Sequence, residues 1–411
     1  MKKVLTLMLA LLVVCGMCAG CGGSKEAAEQ QPAAAPAATE AEATNVVKLG
    51  VYEPASGDNG AGGKQETLGY YYAQSVTPTV TVGDTEYQVE LIAVDNESSN
   101  DKAATAASTL VSAGVSAVMG SYGSGVSIAA SDVFGNAGIP AVGTTCTNPQ
   151  VTSGNTHYFR ICFLDPFQGT VLANFAKDVL NAETVYSLAK LGDDYSAGLA
   201  KYFNEAFEAL GGTVVSETFP EGNSDFNSYL NNAKNAGATV FFAPVSTEAA
   251  ALIIDQANAQ GTEMTLLAGD TWDSNVILDA AKGKDVEIYI TTFYQEGGDS
   301  EAAQAFDNGI KEWLNADSQR LADNGGNDIV AAPTAMAYDN YMFILEAIKN
   351  AGSIEPAAIM EALWTTEYDG VSGHIALDDV NGDAIRDAAY IKKANTETGL
   401  WDFQTVQGIN Q

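Results

Sequence analysis

From Val46 onward the chain alternates between two kinds of segment, and this alternation constrains the fold more than any other feature. Apolar, β-branched runs of strand length stand at Val46–Val51, Val89–Val94, Val115–Met119, Ile139–Val142, Tyr158–Phe163, Val185–Leu188, Thr239–Ala243, Thr265–Leu267 and Glu287–Thr292. Ala- and Leu-rich segments of helical spacing separate most of them, at Asp101–Ser112, Val126–Ala137, Pro166–Leu180, Tyr195–Leu210, Glu248–Ala259 and Ala302–Leu314. Strands spaced by helices of this length need crossovers, so the pattern predicts an α/β fold with parallel sheets flanked by helices. Gly211-Gly212 and Gly352 are placed to end helices, the second after Ala335–Ala351, and Ser353 is placed to cap the next one. Further on, GVSGHIAL, the polar turn DDVNGD and AAYIKK read as a hairpin about Asn381-Gly382. Asp378–Asp383 lacks the ligand spacing and closing Glu of a calcium loop.

The N-terminus is of another kind. Lys2 and Lys3, the apolar segment Val4–Val14 and small residues before Cys21 make residues 1–20 a secretory leader, with an apolar run too short for a permanent span. Cys18-Ala19-Gly20-Cys21 resembles the lipobox of bacterial lipoproteins, although Cys18 stands where Leu is usual, and the resemblance makes Cys21 the lipidated residue. Residues 21–45, rich in Ala, Glu, Gln and Pro, carry too little apolar surface to fold and read as a tether. The remainder is long enough for two domains. With 52 acidic against 19 basic residues, the formal charge is −33, and no basic cluster offsets it. Such a surface repels nucleic acid and anionic lipid, so nucleic-acid binding is excluded.

Catalytic groups are scarce. His157 and His374 have no nucleophile motif nearby, and no Cys/His cluster has metal spacing, so no catalytic residue, metal or cofactor is expected. Asp193-Asp194 reads as a solvated helix start, and Tyr70-Tyr71-Tyr72 as core plus rim. Of five cysteines only Cys146 and Cys162 belong to the folded part, and they read as a pocket-lining thiol and a strand residue rather than a bridge.

In open α/β sheets ligands bind at the carboxyl ends of strands. The loops there are GSYGSG (120–125), GTTCTNP (143–149), GDDYSAG (192–198), PVSTE (244–248) and AGDTWDS (268–274). The glycine-rich turn before Val126–Ala137 lacks the Lys and Ser/Thr of a nucleotide P-loop and the spacing of a dinucleotide fingerprint. Alone it is a plain strand–helix turn or a seat for a small anion such as a carboxylate, held by Ser124 and the amides after it. Thr145–Thr147 would add carbonyls, amides and hydroxyls beside Ser124. Asp270, at another strand end, supplies a negative charge, unless it is a helix cap or a surface acid. Donors facing an acid complement a zwitterion.

At these motifs the chain resembles the amino-acid-binding branch of type I periplasmic solute-binding proteins, typified by the leucine/isoleucine/valine receptors of ABC importers. The resemblance runs over nearly all of residues 46–395. It rests on PASG (54–57), AVMGSYGSG (117–125), GIPAVGTTCTNP (138–149), YFR (158–160), DPFQG (165–169), DDYSAGLA (193–200) and GGTVV (211–215). It continues through DFNSYL (225–230), GDTW (269–272), AYDN (337–340), AIKNAGS (347–353) and DGVSG (369–373).

The resemblance implies a two-lobed fold with three interlobe crossovers, near residues 164, 296 and 375. Lobe 1 would then comprise 46–164 plus 297–375, and lobe 2 165–296 plus 376–411. Ser124 and the Thr147 amide are expected to hold a ligand carboxylate. The Thr145 carbonyl, the Thr147 hydroxyl and Asp270 are expected to hold an ammonium, with Tyr195 closing over the ligand. Tyr122, Cys146, Val245, Ser246 and Trp272 complete the expected lining.

Two departures stand out. Branched-chain receptors usually put an aromatic after P-x-S-G, where this chain has Ala61-Gly62-Gly63, and a tyrosine pair after the fourth strand, where it has Val245-Ser246. Both enlarge the side-chain pocket, so that Tyr122 and Trp272 refill it or a larger ligand does. The expectation is therefore a monomeric, lipid-anchored, extracytoplasmic receptor that delivers an amino-acid-like ligand to a membrane permease. A receptor of the same fold for an amide, a short peptide or an aromatic acid, and an extracellular hydrolase, are the alternatives.

Overall fold

The computed structural model describes residues 45–298 and 300–408. The expected leader, Cys21 and the tether up to residue 44 lie outside the described residues. Within them the chain builds two sheets, each the spine of one lobe. The first has six strands among the described residues, with β1 (Val46–Glu53) near its middle. On one side lie β2 (Thr79–Val82) and β3 (Thr85–Asp95), and on the other β4 (Ala117–Met119), β5 (Ala141–Gly143) and β6 (Tyr158–Arg160). All its pairs are parallel except β2 with β3, joined by a Gly83-Asp84 turn with Gly83 at φ 59°. β1 is apolar on both faces because helices cover both sides of a parallel sheet.

The second sheet has a parallel core of β7 (Thr184–Lys190), β8 (Thr213–Phe219), β9 (Val240–Phe242), β10 (Thr265–Ala268) and β11 (Ile288–Thr292), in spatial order β8-β7-β9-β10-β11. The tail of the chain departs from the sequence expectation. Tyr368–Gly370 (β12) and Gly373–Ile375 (β13) close a small hairpin of their own. AAYIKK does not fold back on GVSGHIAL. It lies in β14 (Ala389–Asn395), antiparallel to β11, and β15 (Leu400–Gln407) then pairs with β14 at the sheet edge. The open edge of β11 offers a full ladder, and only the bridge Leu377–Ala384 survives of the expected pairing.

Helices fill the crossovers. The first lobe takes α1 (Gly60–Val76), α2 (Asn100–Ala113) and α3 (Ser124–Ala137), and the second takes α4 (Asp165–Asn174), α5 (Asp194–Ala209), α6 (Asn227–Asn235), α7 (Thr247–Gln260) and α8 (Asn275–Ala281). α4 runs into a π-helical stretch, Phe175–Val179, inside the segment expected as one helix. The α5 pattern shows why such a segment folds as it does. Leu199, Phe203 and Phe207, spaced by four, are fully buried, and Phe203 stacks on Phe242 of β9 at 4.0 Å.

The chain then continues through α9 (Glu301–Asn315), α10 (Ser318–Asp323), α11 (Ala332–Ala351) and α12 (Pro356–Leu363). α11 lies against α1, and a Cβ at Gly69 would come within 2.2 Å of the Thr334 carbonyl, so glycine is required for that approach. Gly352 ends α11 in the left-handed region, φ 58°, as expected. Ser353 accepts from the Glu355 amide, but Glu355 occupies the cap position of α12, with Pro356 starting the helix.

Cys146 and Cys162 are both free and buried. Asp378 accepts from the Val380 and Asn381 amides, and Gly382 takes φ 74°, so the DDVNGD segment is a turn. Among the described residues no helix is long and apolar enough to cross a membrane.

Candidate functional site

Loops from the carboxyl ends of both sheets meet in one crevice between the lobes, and the lobes touch across it. The Tyr122 hydroxyl donates to the Thr271 carbonyl at 2.7 Å, and Asn148 Nδ2 donates to the Asp194 carbonyl at 2.7 Å. Lys190, at the end of β7, meets Asp58 at 2.5 Å, while the Asp58 carbonyl accepts from Thr247 Oγ1 and the Glu248 amide. At Gly125 an added Cβ would lie 3.0 Å from an Asp194 carboxylate oxygen, so the glycine admits the second lobe's approach.

Ser124 is the first residue of α3, where unpaired amides and the helix dipole favour an anion. It is buried, and its hydroxyl accepts from the Asn148 amide at 3.2 Å, which joins the glycine-rich turn to the 144–148 loop. Thr145 commits its hydroxyl elsewhere, donating to Glu66 at 2.7 Å. Thr147 is fully buried, and its hydroxyl has no hydrogen-bond partner among the described residues.

Arg160, fully buried, fixes this loop. Its guanidinium donates to the carbonyls of Cys146 and Asn148 and to the Thr152 hydroxyl, and pairs with Asp383 at 2.5 Å.

Asp270 opens a 3-10 turn, Asp270–Trp272, directly after β10, and is only 4% exposed. Gln168 Nε2 donates to its Oδ1 at 2.9 Å and the Tyr195 hydroxyl donates to the same oxygen at 3.0 Å. Burial raises its carboxyl to about 6, opposed by these two donors, which favour the ionised form. The helix-cap alternative fails, because Ser274 holds the cap position of α8.

Other expected lining residues divide. Tyr122 and Tyr195 lie in the crevice, with the cavity they share with Ser124 and Thr271. Trp272 is fully buried, with its indole N–H donating to the Val245 carbonyl, and both side chains belong to the second lobe's core. Ser246 caps α7, accepting from the Ala249 amide. Cys146 packs with Val126, Phe134 and Tyr158, not into the crevice; Gly143 leaves it room, since an added Cβ there would lie 2.3 Å from its sulfur. A buried apolar seat suits a neutral thiol, and burial pushes Cys146 up to about 11. His157 contacts Ser131, and His374 pairs with Asp369 at an exposed hairpin.

Four crevice residues carry chemistry that the sequence did not assign. Asp165, in DPFQG, is fully buried beside Thr147, and neither carboxylate oxygen has a hydrogen-bond partner among the described residues. Burial raises it to about 8, with the Asp270 charge adding and the adjacent Thr147 hydroxyl and Arg160 opposing. Three residues on in the same motif, Gln168 bridges Asp270 and Thr291. Glu53, at the end of β1, and Glu66, on α1, are buried behind Thr145 and share the Tyr70 hydroxyl, at 3.2 and 3.5 Å. Burial pushes both carboxyls up, and Glu66 pushes Glu53 further. A buried acid inside a motif was the available signal for Asp165, and an acid on the buried face of α1 for Glu66.

Two α/β lobes meeting in a polar crevice, to which one brings a helix N-terminus at Ser124 and the other the buried carboxylate of Asp270, are the architecture of a solute-binding protein. The comparisons agree. The family model of periplasmic binding proteins matches residues 46–397. The chain is 32% identical to a leucine-binding protein of Thermotoga maritima, with a TM-score of 0.77 over 88% of this chain and 99% of that one. A branched-chain amino acid transporter substrate-binding protein of Streptococcus pneumoniae, solved with isoleucine, gives a TM-score of 0.75 at 25% identity over 89% and 99%. An amino acid binding protein of Pseudomonas aeruginosa is 31% identical over 228 residues, 54% of this chain and 60% of that relative. The chain belongs to the type I periplasmic binding protein family, in its branched-chain amino acid branch.

Proposed function

We propose that this chain is the substrate-binding lipoprotein of an ABC importer and that it holds a free α-amino acid between its lobes. The observation that carries the reading is Asp270, buried at the end of β10 in the second lobe, with the α3 N-terminus and Ser124 in the first. A zwitterion satisfies both rims at once. Its carboxylate takes the Ser124 hydroxyl and the Thr147 amide, and its ammonium takes Asp270, the Thr145 carbonyl and the unpartnered Thr147 hydroxyl. Such charge-assisted hydrogen bonds are strong in a water-poor crevice, and an ammonium left unpaired there is costly. Because the groups come from both lobes, the ligand binds the closed form better than the open one and shifts the population by that difference.

In this reading Cys21 carries the lipid, residues up to 45 tether the domain outside the membrane, and the closed monomer is what a permease recognises. Lobe 1 comprises 46–164 plus 297–375 and lobe 2 165–296 plus 376–411. The test is calorimetry of the whole chain against the common amino acids, with Asp270→Ala as control. Undiminished binding by the variant removes the ammonium role.

A further inference from the structure

The first of the two departures from the branched-chain pattern leaves no empty space over α1. At Gly62, an added Cβ would lie 2.2 Å from Cζ of Tyr122 and 2.6 Å from each Cε. The Tyr122 ring thus rests on the bare backbone of α1, in the space an ordinary side chain at 62 would fill. The residue is pinned at both ends. Its amide donates to Glu53 Oε2 at 2.7 Å, and its hydroxyl reaches the Thr271 carbonyl on the other lobe, also at 2.7 Å. It is only 4% exposed.

Position along the chain gives the ring its role. Tyr122 stands two residues before Ser124, and its hydroxyl ends on the residue after Asp270. On the amino-acid reading, the ring, which reaches from the turn before Ser124 to the residue after Asp270, flanks the place that the substituent on a ligand's α-carbon takes. Tyr195 forms a second wall, its oxygen accepting from Thr271 Oγ1 at 3.2 Å.

We propose that Tyr122, seated on Gly62 and tied to Thr271, sets the size of the ligand: a compact α-amino acid such as glycine, alanine or serine, not leucine, isoleucine or valine. A hydrogen, methyl or hydroxymethyl substituent asks the least displacement of the ring. An isobutyl group has to break the Tyr122–Thr271 bond and move the ring off α1, which opens the contact between the lobes. The inference rests on the amino-acid reading above and adds the ligand's class to it.

The test is calorimetric titration of the whole chain with glycine, alanine, serine, valine and leucine, repeated with Tyr122→Leu and Tyr122→Phe. Differences of a few methylenes are worth ~10–200-fold in a closed pocket. Alanine or serine is expected to bind the unmodified chain at least tenfold more tightly than leucine. Tyr122→Leu should narrow or reverse that ratio, whereas Tyr122→Phe, which keeps the ring, should weaken all ligands together and preserve the order. Leucine binding the unmodified chain as tightly as alanine overturns the size rule and leaves the amino-acid reading standing. Binding of no free amino acid by a chain that melts cooperatively removes the reading and the size rule with it. Should Tyr122→Leu fail to fold, the order of affinities on the unmodified chain and on Tyr122→Phe still decides.

Discussion

The Tyr195 hydroxyl donates to Asp270 Oδ1 at 3.0 Å, so the residue expected to close over the ligand also holds the acid meant to receive it. A donor on a carboxylate favours the ionised form and offsets part of the burial that raises Asp270 to about 6. The ammonium needs that ionised form. Affinity for an amino acid should be level above pH 7 and fall about tenfold per unit as pH drops below about 6, since each unit of pKa is ~1.4 kcal/mol. Tyr195→Phe removes the donor, so the fall should begin at a higher pH. Calorimetry across pH 4.5–8, with about those limits chosen to bracket the titration, checks both; an unmoved profile in the variant contradicts the coupling.

Asp165 predicts the opposite trend for the ligand-free fold. Its carboxyl is raised from 3.8 to about 8 by burial. The folded chain therefore binds the proton that the unfolded chain has already released. This contribution to stability is fully present below the unfolded value of 3.8 and is lost as pH rises through about 8. Asp165→Asn removes the titration. It should gain stability relative to the unmodified chain on going from pH 4 to pH 8, by on the order of a few kcal/mol in denaturant melts. Parallel pH curves for the two proteins would refute the assignment.

Arg160 and Asp383, 223 residues apart, meet with the guanidinium side chain fully buried. The same guanidinium holds the Cys146 and Asn148 carbonyls, so the ion pair supports the loop that presents Thr145 and Thr147. Removing one partner of a buried pair strands the other charge and typically costs ~3–5 kcal/mol. Asp383→Asn should lower stability by that order in denaturant melts and weaken ligand binding in the folded fraction. A loss below about 1 kcal/mol would mean that the pair is not structural.

These relationships mark how far the sequence could be read. Its strand–helix alternation is a local signal, and it located the parallel strands of both sheets except β8, where Thr213–Phe219 is mostly half-buried or exposed and carries polar residues between its apolar ones. β2 escaped because Thr79–Val82 is only four residues long and half polar, and pairs only by virtue of the Gly83-Asp84 turn. β14 was visible as a strand, but its partners were not. The open edge of β11 and a C-terminal strand decide the pairing, and neither is local to AAYIKK.

At the site, the burial of Ser124, Thr147 and Asp270 in strand-end loops agrees with their selection from the sequence as hydroxyls, amides and an acid at those positions. Val245, Ser246 and Cys146 were misplaced for a common reason. Position in a loop does not say which way a side chain turns, and these three turn to the core or to a helix end. The exchange between Gly62 and Tyr122 was half visible, as a missing aromatic and a spare one. That the second fills the space of the first depends on the approach of α1 to the glycine-rich turn.

The central claim is that one rim of the crevice recognises an ammonium. The most direct measurement compares, by calorimetry on the whole chain, an amino acid with the carboxylic acid of the same skeleton lacking the amino group: alanine against propionate, at neutral pH. The account predicts at least a hundredfold preference for alanine, from charge-assisted bonds worth ~1.5–3 kcal/mol each at the ammonium, and loss of most of that preference in Asp270→Asn. Equal affinity for alanine and propionate, or a preference untouched by Asp270→Asn, would contradict it.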